Sequence, residues 1–313
     1  MTARMLTILT ITIVGAGVVF AAEPRLELSV DRADGRVAIA CGDQILATYV
    51  YVDDEISRPY FCDVCTPAGV QVTRNHPPEE GDLLDHATFH PGIWMAFGDL
   101  SGHDSWRLKA AVRHVEFVRE PAAGDGVASF SVRNRYLTED GDSTICEEVC
   151  RYEIELLVDA WLLRWDSRFS SDREFVFGDQ EEMGLGARLA TPIAENQAQG
   201  GLLTDAEGRT TAGEIWSRQA AWCDYSGAIE GHRVGITIIP HPENFRASWW
   251  HARNYGFFAA NPFGRNAFTR KEKSRVVVAP GEEFRLRFGV VIHDGRPGAG
   301  FDADAAAGRY VSE

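Results

Sequence analysis

The chain reads as all-β: one large antiparallel β-sandwich with few short helices. Apolar residues alternate with polar ones at period two in several runs, and Asp-Gly or Gly-Asp pairs separate many of those runs. Helical periodicity is nearly absent. At 45% hydrophobic residues, with 17 Phe and 8 Trp, the chain can fill a sizeable core. Residues 23–313 fit a single domain.

Residues 1–22 read as a secretory signal. Arg4 supplies the positive start, residues 5–20 are uncharged and mostly apolar, and Val19-Phe20-Ala21 fits a small-x-small cleavage rule. The apolar run is short for a bilayer span and contains Gly15 and Gly17. No later segment is long and apolar enough to cross a membrane, so the expected location is periplasmic or secreted.

Residues 26–30, 36–40 and 45–52 form a meander with turns at Asp34-Gly35 and Gly42-Asp43. Longer strands follow over 126–136, 145–158 and 161–170, divided by Asp140-Gly141-Asp142 and by Asp159-Ala160. In the last, Trp161, Leu163 and Trp165 alternate with Leu162, Arg164 and Asp166, the pattern of a half-buried strand. A strand over 185–191 carries Arg188. Val234, Ile236 and Ile238 repeat the alternation, as do Phe284, Leu286, Phe288, Val290 and Ile292 against Arg285 and Arg287. The Ala-rich residues 302–310 form a short terminal helix.

With 31 Lys and Arg against 46 Asp and Glu, the net charge of −15 argues against nucleic acid or anionic lipid as a partner, since both require a basic surface. The six cysteines are ambiguous. Export permits disulfides, and Cys62-Asp-Val-Cys65 has the spacing of half a zinc site or a redox pair, but no second such pair follows. On a strand, Cys146 and Cys150 share a face about 13 Å apart, too far to bond to each other. A bridge from one of them to Cys41, Cys62 or Cys65 stays open beside buried thiols.

Two segments are crowded with reactive side chains. Residues 85–99 hold Asp85, His86, His90, Trp94 and Asp99; residues 241–255 hold His241, Arg246, Trp249, Trp250, His251, Arg253, Asn254 and Tyr255. Imidazole and carboxylate groups move protons near neutral pH, and Trp, Arg and Asn commonly hold sugar rings. His86 and His90 are four apart; a metal site would need His241, His251 or Glu181 as a third ligand. Against it, Pro91-Gly92 ends any helix there and the H-E-x-x-H spacing is absent. Around Glu181 and Glu182 three carboxylates fall within four residues, and on a strand the adjacent glutamates point to opposite faces. Conventional glycosidases use a facing carboxylate pair, for which Asp85, Asp99, Asp104, Glu181 and Glu182 are candidates. If 249–253 is extended, Trp249, His251 and Arg253 share one face and Trp250 takes the other. Asn261-Pro262-Phe263-Gly264 is a turn whose amide can hold local backbone or a hydroxyl. G-x-S-x-G, P-loop and dinucleotide fingerprints are absent, which disfavours serine hydrolases and nucleotide enzymes.

The ordered motifs Arg58-Pro59-Tyr60-Phe61, Thr73-Arg74-Asn75-His76-Pro77-Pro78, Asp85-His86, His90-Pro91-Gly92-Ile93-Trp94, Gly102-His103-Asp104, Trp222-Cys223-Asp224-Tyr225-Ser226-Gly227, His241-Pro242, Trp250-His251-Ala252-Arg253-Asn254-Tyr255-Gly256 and Asn261-Pro262-Phe263-Gly264 resemble the bacterial PmoA-like family of unknown function. The resemblance spans almost the whole chain after residue 22. A methane oxygenase subunit label often attached to that family finds no support here, because that enzyme is an integral membrane complex. The resemblance implies an architecture similar to the galactose-mutarotase-like β-supersandwich, a setting among polysaccharide degraders, and chemistry at or near an anomeric carbon. It carries over Arg74, His76, His86, His90, Trp94, Asp104, His241, His251, Arg253 and Asn261; Glu181 and Arg188 are added on chemical grounds.

The expectation is a carbohydrate-active enzyme that cleaves or rearranges a glycoside without a cofactor or metal. Glu181 acts as acid or base, with His90 and His251 as proton-transfer partners. Arg74, Arg253 and Asn261 hold hydroxyl, carboxylate or sulfate groups, Trp94 or Trp250 stacks on the ring, and His86, Asp104, Arg188 and His241 complete the substrate site. Functional coupling to a sugar dehydrogenase, which would supply a keto-sugar, stays open. The alternatives are a non-catalytic glycan-binding module and a metal-dependent enzyme centred on the histidines.

Overall fold

A computed structural model describes residues 25–124, 126–198, 200–295 and 301–312; the expected signal lies outside them. The strands run β1 (Leu26–Asp31), β2 (Arg36–Cys41), β3 (Gln44–Val50), β4 (Tyr60–Cys62), β5 (Ile93–Phe97), β6 (Val112–Gly124), β7 (Val127–Leu137), β8 (Thr144–Leu157) and β9 (Ala160–Ser170). After these come β10 (Phe175–Phe177), β11 (Met183–Arg188), β12 (Leu202–Asp205), β13 (Cys223–Ile229), β14 (His232–Pro240), β15 (Trp249–Arg253), β16 (Phe257–Asn261), β17 (Val276–Val278) and β18 (Glu283–Gly295). Two eight-stranded sheets form the sandwich, ordered β1-β2-β3-β4-β5-β11-β16-β15 and β12-β13-β14-β18-β9-β8-β7-β6, while β10 and β17 pair separately. All these pairings are antiparallel. The predicted mostly-β sandwich is what forms.

Alternation along each strand sorts side chains between the inter-sheet core and an outer face. Trp161, Leu163 and Trp165 of β9 face Leu286, Phe288, Val290 and Ile292 of β18 in the core, with Trp250 and Phe258 from the first sheet. Each buried aromatic removes 150–250 Å2 from water, worth roughly 4–6 kcal/mol as an upper bound. The predicted terminal helix is α3 (Ala303–Val311), where Asp302 accepts the Ala305 amide at 2.9 Å as its N-cap. It buries Ala303, Ala306 and Tyr310 on the outer face of the second sheet. Two five-residue helices, α1 (Thr211–Ile215) and α2 (Arg265–Thr269), precede it in the chain.

All six cysteines are free thiols, with Cys146 and Cys150 buried as core side chains of β8. The long edge strand β6 has few apolar residues facing inward and is not legible as a strand from period-two patterning. Residues 63–92 form a long irregular stretch marked only by isolated bridges. Val64, Val70 and Val72 at its start join the inter-sheet core, and residues 74–92 cover the outer face of the first sheet and position the candidate site.

Candidate functional site

Register places four positions in one row across the first sheet: Trp94 of β5 opposes Gly186 of β11, Gly186 opposes Ala259 of β16, and Ala259 opposes His251 of β15. The next row holds Arg188, Phe257 and Arg253. By alternation these side chains all emerge on the outer face. Gly186 is a necessity of packing: a Cβ there would sit 3.0 Å from the Trp106 ring and 3.2 Å from Trp94, so both indoles lie over bare backbone.

An irregular segment lying on a sheet needs partners for its carbonyls, and two buried arginines provide them. Arg74 donates from Nη1 to the Leu83 and Asp85 carbonyls at 2.7 and 2.8 Å, and from Nη2 to those of His86 and His90 at 3.2 Å each. Arg58 holds the carbonyls of Phe89, Ser105 and Trp106 in the same way. Burial pulls the Arg74 pKa down to about 10, which leaves it charged at neutral pH. The chain then turns into β5 through Gly92, at φ +137°, where a Cβ would come within 2.1 Å of the Phe61 carbonyl oxygen.

Clamped this way, the segment lays His86 over the sheet. Its ring stacks on His90 at 4.7 Å with planes 12° apart, and His90 stacks on Phe257 at 4.6 Å. Tyr255 flanks His86 at 5.5 Å and receives the Arg188 guanidinium on its ring at 4.8 Å. Arg188 is fully buried and binds both oxygens of Asp85, at 2.6 and 2.8 Å. That fork holds the Asp85 carboxyl below the usual range despite the opposing cost of burial.

Beside the stack, the His251 Nδ1 lies 3.1 Å from the Glu181 carbonyl oxygen. A carbonyl only accepts, so Nδ1 carries the proton. Burial, with Arg253 adding repulsion, pushes the His251 pKa down to about 3. The ring is therefore neutral at ordinary pH, and Nε2 is a lone pair. Nε2 is buried without a hydrogen bond and stands 3.7 Å from the Glu181 carboxylate: an electrostatic contact, too long for a hydrogen bond. Glu181 also accepts from Arg253 at 3.0 Å. Asn261 fixes the backbone beneath by donating to the Gln180 and Glu181 carbonyls at 2.7 and 2.9 Å and accepting from the amides of Phe263 and Gly264. Arg107 bridges Asp104 at 3.0 Å and Glu182 at 2.7 Å, and Trp216 lies under the Arg253 guanidinium at 5.8 Å.

Of the residues expected in the site, His86, Glu181, Arg188, His251 and Arg253 come together. Arg74 and Asn261 are corrected to backbone clamps, since the Arg74 Nη groups and the Asn261 amide nitrogen donate to carbonyls and Arg74 is only 1% exposed. Asp104 is buried and works through Arg107 and Lys109. His90 is only 3% exposed under His86, and burial with four nearby cationic or imidazole groups holds its pKa well below the usual value. Trp94 and Trp250 are both 0% exposed, so neither presents a ring to a ligand; Trp94 packs against Trp106 and His90, and Trp250 faces the inter-sheet core. His241 lies on the opposite side of the sandwich, edge-on to Tyr310. Arg107 and Gly186 were not singled out from sequence, because nothing local distinguishes them. Tyr255 was visible as a member of the crowded segment 241–255.

A shared metal ion on His86 and His90 does not fit. Lone pairs lie in the ring planes, and two nearly parallel stacked rings cannot converge them on one ion. Among the described residues no group of three His, Cys, Asp or Glu side chains forms a candidate metal site.

A protein family described as a family of unknown function, DUF6807, matches residues 36–307. The chain belongs to that family. A search of curated proteins finds no match. Among solved structures, the chain is similar to the GH36 α-galactosidase AgaB from Geobacillus stearothermophilus, with a TM-score of 0.43 and 10% identity. That match covers 86% of this chain and 41% of the enzyme, so the chain spans well under half of it. A galactose mutarotase-like protein from Lactobacillus casei matches with a TM-score of 0.39 and 12% identity over 86% of this chain and all of the other. A galactose mutarotase related enzyme from Lactobacillus acidophilus matches at 0.33 and 11%, over 86% and 97% of the two chains. These are distant likenesses in strand layout and carry nothing about chemistry. Among the described residues no helix is long and apolar enough to cross a membrane.

Proposed function

We propose that this protein is an exported carbohydrate-active enzyme acting on a glycoside at or near the anomeric centre, with the groove beside Glu181 as its active site. The observation that carries this reading is the pairing of the Glu181 carboxylate with a tautomer-fixed, neutral His251 whose Nε2 lone pair lies 3.7 Å away. A substrate hydroxyl at the open side of the Glu181 carboxylate donates its hydrogen bond there. Glu181 transfers the proton. His251, buried and with a pKa too low to store a proton near neutral pH, acts as positioner by holding the Glu181 backbone through Nδ1. His90 supports His86 from beneath. Arg253 and Arg107 orient polar substituents, and the half-buried Tyr255 and Trp216 offer apolar faces to a sugar ring. Hydrolysis, elimination and epimerisation all use such a group, and a keto-sugar supplied by a dehydrogenase fits the last two.

A neutral, buried His251 that moves no proton near neutral pH also favours a second reading, a glycan-binding module in which Glu181 only accepts hydroxyl hydrogen bonds. One experiment separates the two. Proton NMR follows the anomeric signals of a glycan panel, including 3-keto glycosides, with the wild type and Glu181→Gln. The enzyme reading expects new resonances from the wild type and a rate about 10²–10⁴ lower in the variant, the usual range for a lost general acid or base. Wild-type turnover that survives unchanged in the variant removes Glu181 from the chemistry. Line broadening without any new species selects the binding module.

A further inference from the structure

A cavity of about 180 Å3 opens on the outer face of the second sheet, on the far side of the sandwich from Glu181 and His251. Cross-strand register builds it. Arg151 of β8 opposes Asp166 of β9, which opposes Arg287 of β18; one step along, Glu153 opposes Arg164. Alternation sends all of these outward, together with Arg285. Tyr310 of α3 closes one wall, its ring resting on Gly289, where a Cβ would come within 2.8 Å of it.

In a chain of net charge −15, the lining of this cavity carries four arginines and two carboxylates, Glu153 and Asp166. Both acids are already engaged: Asp166 receives Nε and Nη2 of Arg285 at 2.7 Å each, and Glu153 pairs with Arg151. Arg164 and Arg287 direct hydrogen bonds to Glu155 and Glu243, which stand outside the lining. A guanidinium has five N–H donors, so the Nη1 hydrogens of Arg285 lie outside its fork with Asp166. His241 adds another donor. Its Nδ1 accepts the Glu243 amide at 3.1 Å, and burial with the neighbouring Arg287 lowers its pKa, so the neutral ring carries its proton on Nε2. Each of the four guanidiniums is balanced by a carboxylate, so the walls offer N–H donors beyond those used in the ion pairs and no net charge, in a volume below the roughly 300 Å3 at which drug-sized sites begin.

We propose that this cavity is a second binding site, separate from the groove, for a small oxyanion: sulfate or the carboxylate of an acidic sugar, held by Arg285, Arg287 and His241. Guanidinium N–H donors converging in a confined cleft make charge-assisted hydrogen bonds to an oxyanion that a neutral sugar cannot match.

The test is an NMR titration of the whole protein, following the His241 and Tyr310 ring signals at ionic strength fixed with sodium chloride. The probes are sodium sulfate, sodium glucuronate and, as neutral control, methyl glucoside. Saturable shifts are expected with sulfate, glucuronate or both, and none with methyl glucoside. Response to sulfate alone identifies an inorganic or ester sulfate, and response to glucuronate alone a sugar acid. Arg285→Gln combined with Arg287→Gln raises Kd at least tenfold. His241→Phe, which keeps every charge and fills the cavity, also weakens binding, read on Tyr310, and serves if the double variant does not fold. Shifts that never saturate, or a Kd unchanged in both variants, overturn the proposal.

Discussion

The outer faces of the two sheets arise from the same alternation but are finished differently. On the first, residues 74–92 fold back over the strands and His90, Arg74 and Arg188 are at most 3% exposed, as is His251 beneath the Glu181 segment and Phe268. On the second, among the described residues, α3 covers part of the surface, and arginines and carboxylates beside it form a partly solvated lattice of ion pairs. Similar side chains thus behave differently. Desolvation keeps His251 and His90 neutral and makes the Arg188–Asp85 fork costly to break, whereas the Arg285–Asp166 fork of the same form sits in water's reach. Cover, more than residue type, decides how much each charge matters.

That contrast can be broken at its strongest point with Arg188→Met. Removing the buried guanidinium leaves Asp85, whose side chain is 33% exposed, to water and frees Tyr255; the expected loss is about 1.5–3 kcal/mol by denaturant titration, with binding in the groove lost as well. A loss under about 1 kcal/mol would mean that cover adds nothing to this pair. Gly186→Ala probes the packing beneath the cover. Its Cβ must displace Trp106 or Trp94, and overpacking of this kind costs about 1–3 kcal/mol. Thermal melts check it.

Acid sharpens the comparison further. The folded pKa values of His251 and His90 lie below the ordinary 6.5, so the unfolded chain binds protons first. Their contribution is complete above about pH 6.5 and is lost as pH falls, for His251 down to about 3. Each contributes up to about 1.4 kcal/mol per pH unit in that window. His251→Asn should flatten the slope of stability between pH 6.5 and 4.5 by up to that amount, while His241→Asn on the less covered face should change it less. Equal effects would contradict the assignment of His251 as the more desolvated ring. The smallest effect belongs to Arg285→Gln, whose partly exposed fork is worth under about 1 kcal/mol of stability and weakens further in salt.

Much of this was legible beforehand. Period-two alternation in β9 and β18 identified which side chains face the core, because burying one face of a strand leaves no other register. The Ala-rich run of residues 302–310 marked α3, and the parity of residues 249–253 separated His251 and Arg253 from Trp250. The segments 85–99 and 241–255 were recognisable as rich in reactive groups, but they do not form one site: His241 and His251 end on opposite sides of the sandwich. Nothing local says so, since the loop between them crosses from β14 in the second sheet to β15 in the first. Trp94 was misjudged for a related reason: its outward parity is real, but residues 74–92 and Trp106 bury it.

By itself, then, the sequence determined the strands, the inward faces, the terminal helix and the chemical inventory, because those depend on periodicity and on neighbours a few residues away. Only the tertiary structure decided that Arg74 and Asn261 serve backbone carbonyls, that Glu181 meets His251 and Arg253, and that His241 joins an arginine-lined cavity. Those outcomes depend on sheet order and on which segment covers which face. Both are set by contacts between residues far apart in the chain, 103 positions in the Arg188–Asp85 fork, where local pattern carries no information.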